Sequence, residues 1–376
     1  MWRAATMMAA LTLAACVGRD GPAVPDPVVV EPLPTGARVE LVDVAVVWPL
    51  REGTGPGSTH LGPLLTCEQQ AVFEALTRSD EPEDLCAALT VTAVRLDPCA
   101  RDSLDGACHP ELRVVLQPVF DGEARDAAIH AFYDIDLDDL TTAVTALMRA
   151  RLARDLDGQG PLGVHPLLTD TAGLEAVKAA VSTLLQQARL TKFTQITVHG
   201  ENAAWSFSLR EFIDGEVTGG DASVQHVLSS SPDAIDIRVT PPSVGPDDFA
   251  ILLRTDGLAT ATTVEQQTAF DHAARVEHPA LNDTSTVDCA ACHTAAAARA
   301  ATIARFANDN VALSDDERFT SEHHDLSPSL AFNNPQFIHA LAWRVRDLAV
   351  NQRVVNEAAV SADLIQSHLV EQGVLE

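Results

Sequence analysis

The residues best equipped for chemistry stand near the start of the last quarter of the chain, in Cys289-Ala290-Ala291-Cys292-His293. On a helix, positions i, i+3 and i+4 share one face, so this spacing brings two thiols and one imidazole to a single surface. Ser285-Thr286-Val287-Asp288 just before it has the pattern of a capping box, and the alanine-rich run from Thr294 to Ala301 is a strong helix former, which places the motif on the first turns of a helix. A structural zinc site would need two further ligands, and the close pair downstream is the adjacent His323-His324, a poor zinc spacing. A thioredoxin-type dithiol follows a strand of a βαβ unit, and no such pattern precedes this one. A plain disulfide leaves His293 without a role. Covalent haem attachment uses all three side chains: the thiols add across two vinyl groups to make thioethers, and the imidazole gives the iron one axial nitrogen. One covalent haem c is therefore expected, attached at Cys289 and Cys292, with His293 as the proximal ligand. Ala107-Cys108-His109 repeats half of the pattern, but Asp105 stands where a first cysteine would be, so no second covalent haem is expected.

Met1 to Cys16 reads as a targeting segment, with Arg3 in its positive region and a short apolar run from Ala4 to Ala15, too short for a permanent membrane span. It ends in Leu13-Ala14-Ala15-Cys16, which resembles the bacterial lipoprotein box. The resemblance implies cleavage before Cys16, acylation of that cysteine, export and a membrane anchor. Val17 rather than Asp follows the cysteine, which by the sorting rule of such lipoproteins favours the outer membrane, facing periplasm or cell surface. Residues 17–38 hold Pro22, Pro25, Pro27, Pro32 and Pro34 and are expected to be an extended stalk.

The chain has 376 residues, enough for two domains, and carries 53 acidic against 25 basic residues, a net charge of -28. Only Lys178 and Lys192 are lysines. That balance excludes the basic patch that nucleic acid requires; such a charge commonly serves solubility alone, and the functional reading is steering of a basic redox partner. With Cys16, Cys289 and Cys292 assigned, Cys67, Cys86, Cys99 and Cys108 remain, an even number for an oxidising compartment. Four cysteines permit three pairings. Cys67–Cys86 and Cys99–Cys108 are favoured, the second because Asp97-Pro98 and Asp105-Gly106 mark a turn between two strands, Val91 to Leu96 and Leu112 to Gln117.

Between residues 39 and 258 the patterns alternate between strand and helix. Strands are expected at Val39–Val47, Ala127–Asp134, Lys192–Val198, Ala203–Phe212, Val224–Leu228, Ile235–Val239 and Phe249–Leu253. Helices are expected at Glu68–Thr77, Asp138–Asp155, where Leu140, Val144, Leu147, Met148 and Leu152 form a stripe, and Leu174–Leu190. No nucleotide-binding, zinc-protease or hydrolase motif occurs, and His60, His109, His130, His165, His199 and His226 are scattered. The expectation is a disulfide-stapled α+β domain without a legible role.

From residue 259 the pattern turns helical. Thr262-Thr263-Val264-Glu265 is a capping box opening a helix to about Val276, Ser314-Asp315-Asp316-Glu317 starts a short one, and Asn334-Pro335 opens a longer one with Phe337, Ile338, Leu341, Val345 and Leu348 on its stripe. A last helix spans Gln352 to His368. With the haem motif between them, this order resembles the small monohaem cytochromes c. The resemblance covers residues 259–376 and implies an all-α cytochrome c-like domain following the α+β domain. It also implies one-electron transfer or relay, not enzymatic catalysis, by a membrane-anchored protein of the cell envelope. An open sixth position, with peroxide or small-gas chemistry, is the enzymatic alternative; an envelope binding protein with an auxiliary haem is another. The methionines are Met1, Met7, Met8 and Met148, so no thioether follows the motif to serve as second axial ligand. The histidines of this third are His272, His278, His323, His324, His339 and His368. His339, off the stripe of the Pro335 helix, is the leading distal candidate, and His323 and His324 are the alternatives.

Overall fold

The computed structural model describes residues 32–50, 89–100, 107–125, 127–159, 162–199, 204–213, 216–218, 225–229, 237–240, 247–283, 286–309, 312–327 and 339–376. Residues 1–16, most of the 17–38 segment, the expected Glu68–Thr77 helix, Cys67 and Cys86 lie outside them. Within the described part of the 17–38 segment, Leu33 is buried and its amide donates to Val374 O at 2.9 Å, so this end of the expected stalk belongs to the folded body.

The chain builds a ten-stranded sheet with antiparallel neighbours. Its strands are β1 (Ala45–Val47), β2 (Leu89–Ala100), β3 (His109–Phe120), β4 (Glu123–Ala124), β5 (Ala128–Asp134), β6 (Arg189–His199), β7 (Ala204–Ile213), β8 (Glu216–Thr218), β9 (Gln225–Ser229) and β10 (Ile237–Thr240). The order is β1-β2-β3-β5-β6-β7-β9-β10, with β4 paired to β3 and β8 to β7. Cys99 and Cys108 are disulfide-bonded where β2 and β3 diverge. Asp121 and Gly122, both with positive φ, make the tight turn from β3 to β4, the Asp-Gly chemistry that matches strand twist.

Directly paired residues of antiparallel strands point to the same face, so the register separates two faces. Val94, Val114, Ala131 and Phe193 pair across β2, β3, β5 and β6 on one face, all buried. They share a core with Leu140, Val144, Leu147 and Met148 of α2 (Leu137–Leu152) and with Val177, Val181 and Leu184 of α3 (Thr171–Gln187). The intervening residues make the other face: the row Arg95, Arg113, Phe132, Lys192, and next to it Val115, His130, Thr194, Leu209. Toward β7 that face becomes apolar. Ile196, Trp205 and Phe207 form a second core with Phe270 and Ala273 of α5 (Thr263–Val276) and with Ala290, Ala291, Ala295 and Ala298 of α6 (Cys289–Asp309).

Four expectations are corrected. Val39–Val47 begins as a helical turn, α1 (Leu41–Val44), before β1, and the segment expected as strand Phe249–Leu253 is a 3-10 helix, Ala250–Leu253, leading into α4 (Thr255–Thr260). Ser314-Asp315-Asp316-Glu317 forms turns rather than a helix. Most consequential, the last third is not an all-α cytochrome c-like domain. Where the Pro335 helix was expected, Leu341–Arg344 (β11) and Asp347–Val350 (β12) form an antiparallel hairpin. Its Trp343 exchanges both backbone hydrogen bonds with the Gln117 side chain, at 2.7 and 2.9 Å. The last helix, α7 (Gln352–Glu371), buries Val354, Val355, Ala358, Ala362 and Ile365 in the core shared by β1–β3 and α1. The physical reason is that the apolar residues at 341–350 have long-range partners on β3 and β4, and tertiary pairing overrides a helical period.

Candidate functional site

Cys289, Cys292 and His293 occupy the first turn of α6. Asp288 is its cap: Oδ1 accepts from Ala291 N at 2.7 Å, and its carbonyl accepts from Cys292 N at 3.1 Å. The helix therefore starts at the motif itself, with its cap at the last position of the expected box. The preceding loop is tied down by Thr286 Oγ1, which donates to Asn282 Oδ1 at 3.2 Å, and by Asn282 Nδ2, which donates to Asp247 at 3.0 Å. From α7, Arg353 donates to Val276 O and Asn282 O at 2.9 and 2.7 Å, and Asn351 Nδ2 reaches Cys292 O at 3.4 Å. Further along α6, Arg299 pairs with the buried Glu277 at 2.8 Å, fixing α6 against the end of α5. The motif is thus held from three sides by groups that are themselves bonded.

Both cysteines are half-buried free thiols, not joined to each other. Burial pushes the Cys289 thiol up to about 11 and raises that of Cys292, against the opposing pull of Arg353, Arg113 and Arg95. His293 is buried and packs onto the second sheet face, its ring 5.0 Å from Phe207 of β7 and 6.3 Å from His130 of β5, tilted by 44° to the latter. Burial, then His293, Arg113 and Arg95 hold the His130 imidazole well below the ordinary histidine range, so it is neutral. Beside it opens a small cleft lined by Ala127, Ala128, His130, Ile196, Trp205, His339, Ala340 and Ala342.

His339 therefore reaches the site from the residues leading into β11 and not from a helix. His323 and His324 do not join it. His323 Nδ1 is 3.0 Å from Asp363 Oδ1, and the buried His324 lies 3.4 Å from the same carboxylate and 3.9 Å from Glu40. Asp363 is ten residues beyond Arg353 on α7, about 15 Å along the helix axis. His272 is bonded at Asp248, His278 meets Phe319 edge-on at 5.0 Å, and His368 pairs with Gln372. The residue that sequence reasoning missed is His130. Its strand alternation was visible, but nothing local marks a histidine whose counterpart arrives from α6.

Among the described residues no group of three or more His, Cys, Asp or Glu is placed to hold a metal, whereas a haem brings four nitrogens of its own and asks the chain for two thiols and one or two axial groups. Cys289, Cys292 and His293, two thiols not spent on each other and an imidazole on the same helical turn, are residues of the types such a group would use. No protein-family model, no curated protein and no solved structure matches this chain.

Proposed function

We propose that the protein carries one haem, covalently attached through Cys289 and Cys292 with His293 on the iron, and passes single electrons in the cell envelope, anchored there through an acylated Cys16. The observation that carries this reading is the placement of both free thiols and His293 on one capped helical turn facing the sheet. A bound haem supplies a one-electron couple whose potential follows from axial ligand, hydrogen bonding and burial. The chain's own residues set these conditions. Asp288 fixes where the helix begins, and with it the common direction of the Cys289, Cys292 and His293 side chains. Arg353 and Asn351 hold the loop and the Cys292 carbonyl. Phe207, Ile196 and Trp205 exclude water from one side of the site, which favours electron transfer over solvent-dependent side reactions.

Haem staining of a denaturing gel tests attachment: the wild type is expected to stain after acidified organic extraction, and the double variant Cys289→Ala/Cys292→Ala is expected not to. A wild type that loses its stain on extraction refutes thioether attachment. The anchor is tested separately, because Cys16→Ser should release the protein from membranes; continued membrane association of that variant, with no acyl mass on the wild type, refutes it.

A further inference from the structure

We infer that His130 of β5 is the second axial ligand, so that the iron lies between an imidazole from α6 and an imidazole from the sheet. The inference rests on the covalent-haem reading and goes beyond it in naming the group opposite His293. His130 is buried, at 7% exposure, with its backbone paired in the sheet to Val115 and Thr194. Its ring is open to the cleft, where Ala127, Ala128, Ala340 and Ala342 leave the space that larger side chains would fill.

The spacing fits. A metal–imidazole nitrogen bond is about 2.0 Å, and a five-membered ring with bonds near 1.35 Å has a radius of about 1.15 Å. Two imidazoles on opposite sides of one metal therefore have centroids about 6.3 Å apart, and the His130–His293 separation is 6.3 Å. The register explains why His130 is the sheet residue that meets this requirement. Val115 and Thr194, its paired neighbours on β3 and β6, share its face but carry no group that binds iron strongly, and Phe132, two residues on, is taken up by Arg113 and Lys192 at 4.4 and 4.9 Å. His339 lines the same cleft and is the competing ligand that the test must separate.

The test is the ferric spin state of the purified holoprotein. Wild type should be low-spin with the near-infrared magnetic circular dichroism of two nitrogen ligands. His130→Gly should be high-spin and return to low-spin on addition of free imidazole, while His339→Ala stays low-spin. Should His130→Gly not fold with haem, His130→Met provides the second reading: a sulfur-to-iron charge-transfer band and a positive shift of midpoint potential. A high-spin wild type overturns the inference, as does a low-spin His130→Gly without imidazole or conversion to high-spin in His339→Ala alone. These outcomes leave covalent attachment standing, since the haem stain reports attachment whatever the sixth ligand. Absence of stain from the wild type overturns both.

Discussion

His165 should make the protein acid-sensitive in a measurable way. The side chain is fully buried, and burial first, then Arg151, pushes its pKa down to about 3. Its Nδ1 accepts from Leu167 N at 3.1 Å, which pins the ring, while Nε2 is 4.0 Å from Asp43 Oδ1, too far for a hydrogen bond. In the unfolded chain the same group titrates near 6.5. Between those two values the unfolded state binds a proton that the folded state refuses, so stability falls as pH drops through about 6.5 and goes on falling to about 3. Each unit is worth about 1.36 kcal/mol, which gives a loss of about 2 kcal/mol at pH 5 from this residue alone. His165→Asn keeps an acceptor for Leu167 N and does not titrate. Urea unfolding of both proteins at pH 7 and pH 5 isolates the effect, because the other groups are common to both. Wild type should lose about 2 kcal/mol more than the variant over that interval. Equal losses would mean that the imidazole takes up its proton normally in the folded state, and the burial reasoning would be refuted.

Replacing Cys99 and Cys108 together by Ser should lower stability by about 2–3 kcal/mol, since the bridge closes a short loop; denaturant titration without reductant measures it, and an unchanged midpoint would contradict a structural role. Arg299→Met should destabilise by about 3–5 kcal/mol by stranding the buried Glu277, and adding Glu277→Leu should recover most of the loss; a double variant no better than the single would show that the pair contributes more than mutual neutralisation. Asp288→Ala removes the cap of α6 and should cost about 1 kcal/mol, read as a lower thermal midpoint with the haem stain retained.

Much of the sheet was legible because its signals are local. The β2–β3 hairpin announces itself in valine-rich alternation around a Pro- and Gly-bearing turn, and α5 in Thr262 and Glu265, whose side chains and amides do bond reciprocally. The α2 stripe of Leu140, Val144, Leu147 and Met148 is buried as its period requires. The β11–β12 hairpin was not legible. Phe337, Leu341, Val345 and Leu348 fall on a helical period, yet Val345 adopts φ 55° in the turn between two short strands, a conformation that a β-branched residue avoids unless contacts impose it. The imposing contact is with Ala124, whose amide and carbonyl both bond Val345, while Gln117 holds Trp343 in the strand before it; both lie far away in sequence. The site divides in the same manner: Cys289, Cys292 and His293 declare themselves by spacing within one helical turn, whereas His130 acquires meaning only once β5 and α6 are packed face to face.

The shared core has a kinetic consequence. Leu33, Leu41, Val44 and Val46 near the start of the described chain pack in one cluster with Val355, Ala358, Ile365, Leu369 and Leu375 at its end. Contacts of such sequence separation place a protein among slow folders, because the loop between them must close before it is rewarded. The cluster cannot close until α7 is available, and until then β2 lacks the helix that covers it. During that interval the uncovered apolar face would be open to association with other chains. The final helix thus acts as a clasp: its arrival sets when the molecule stops being prone to aggregate.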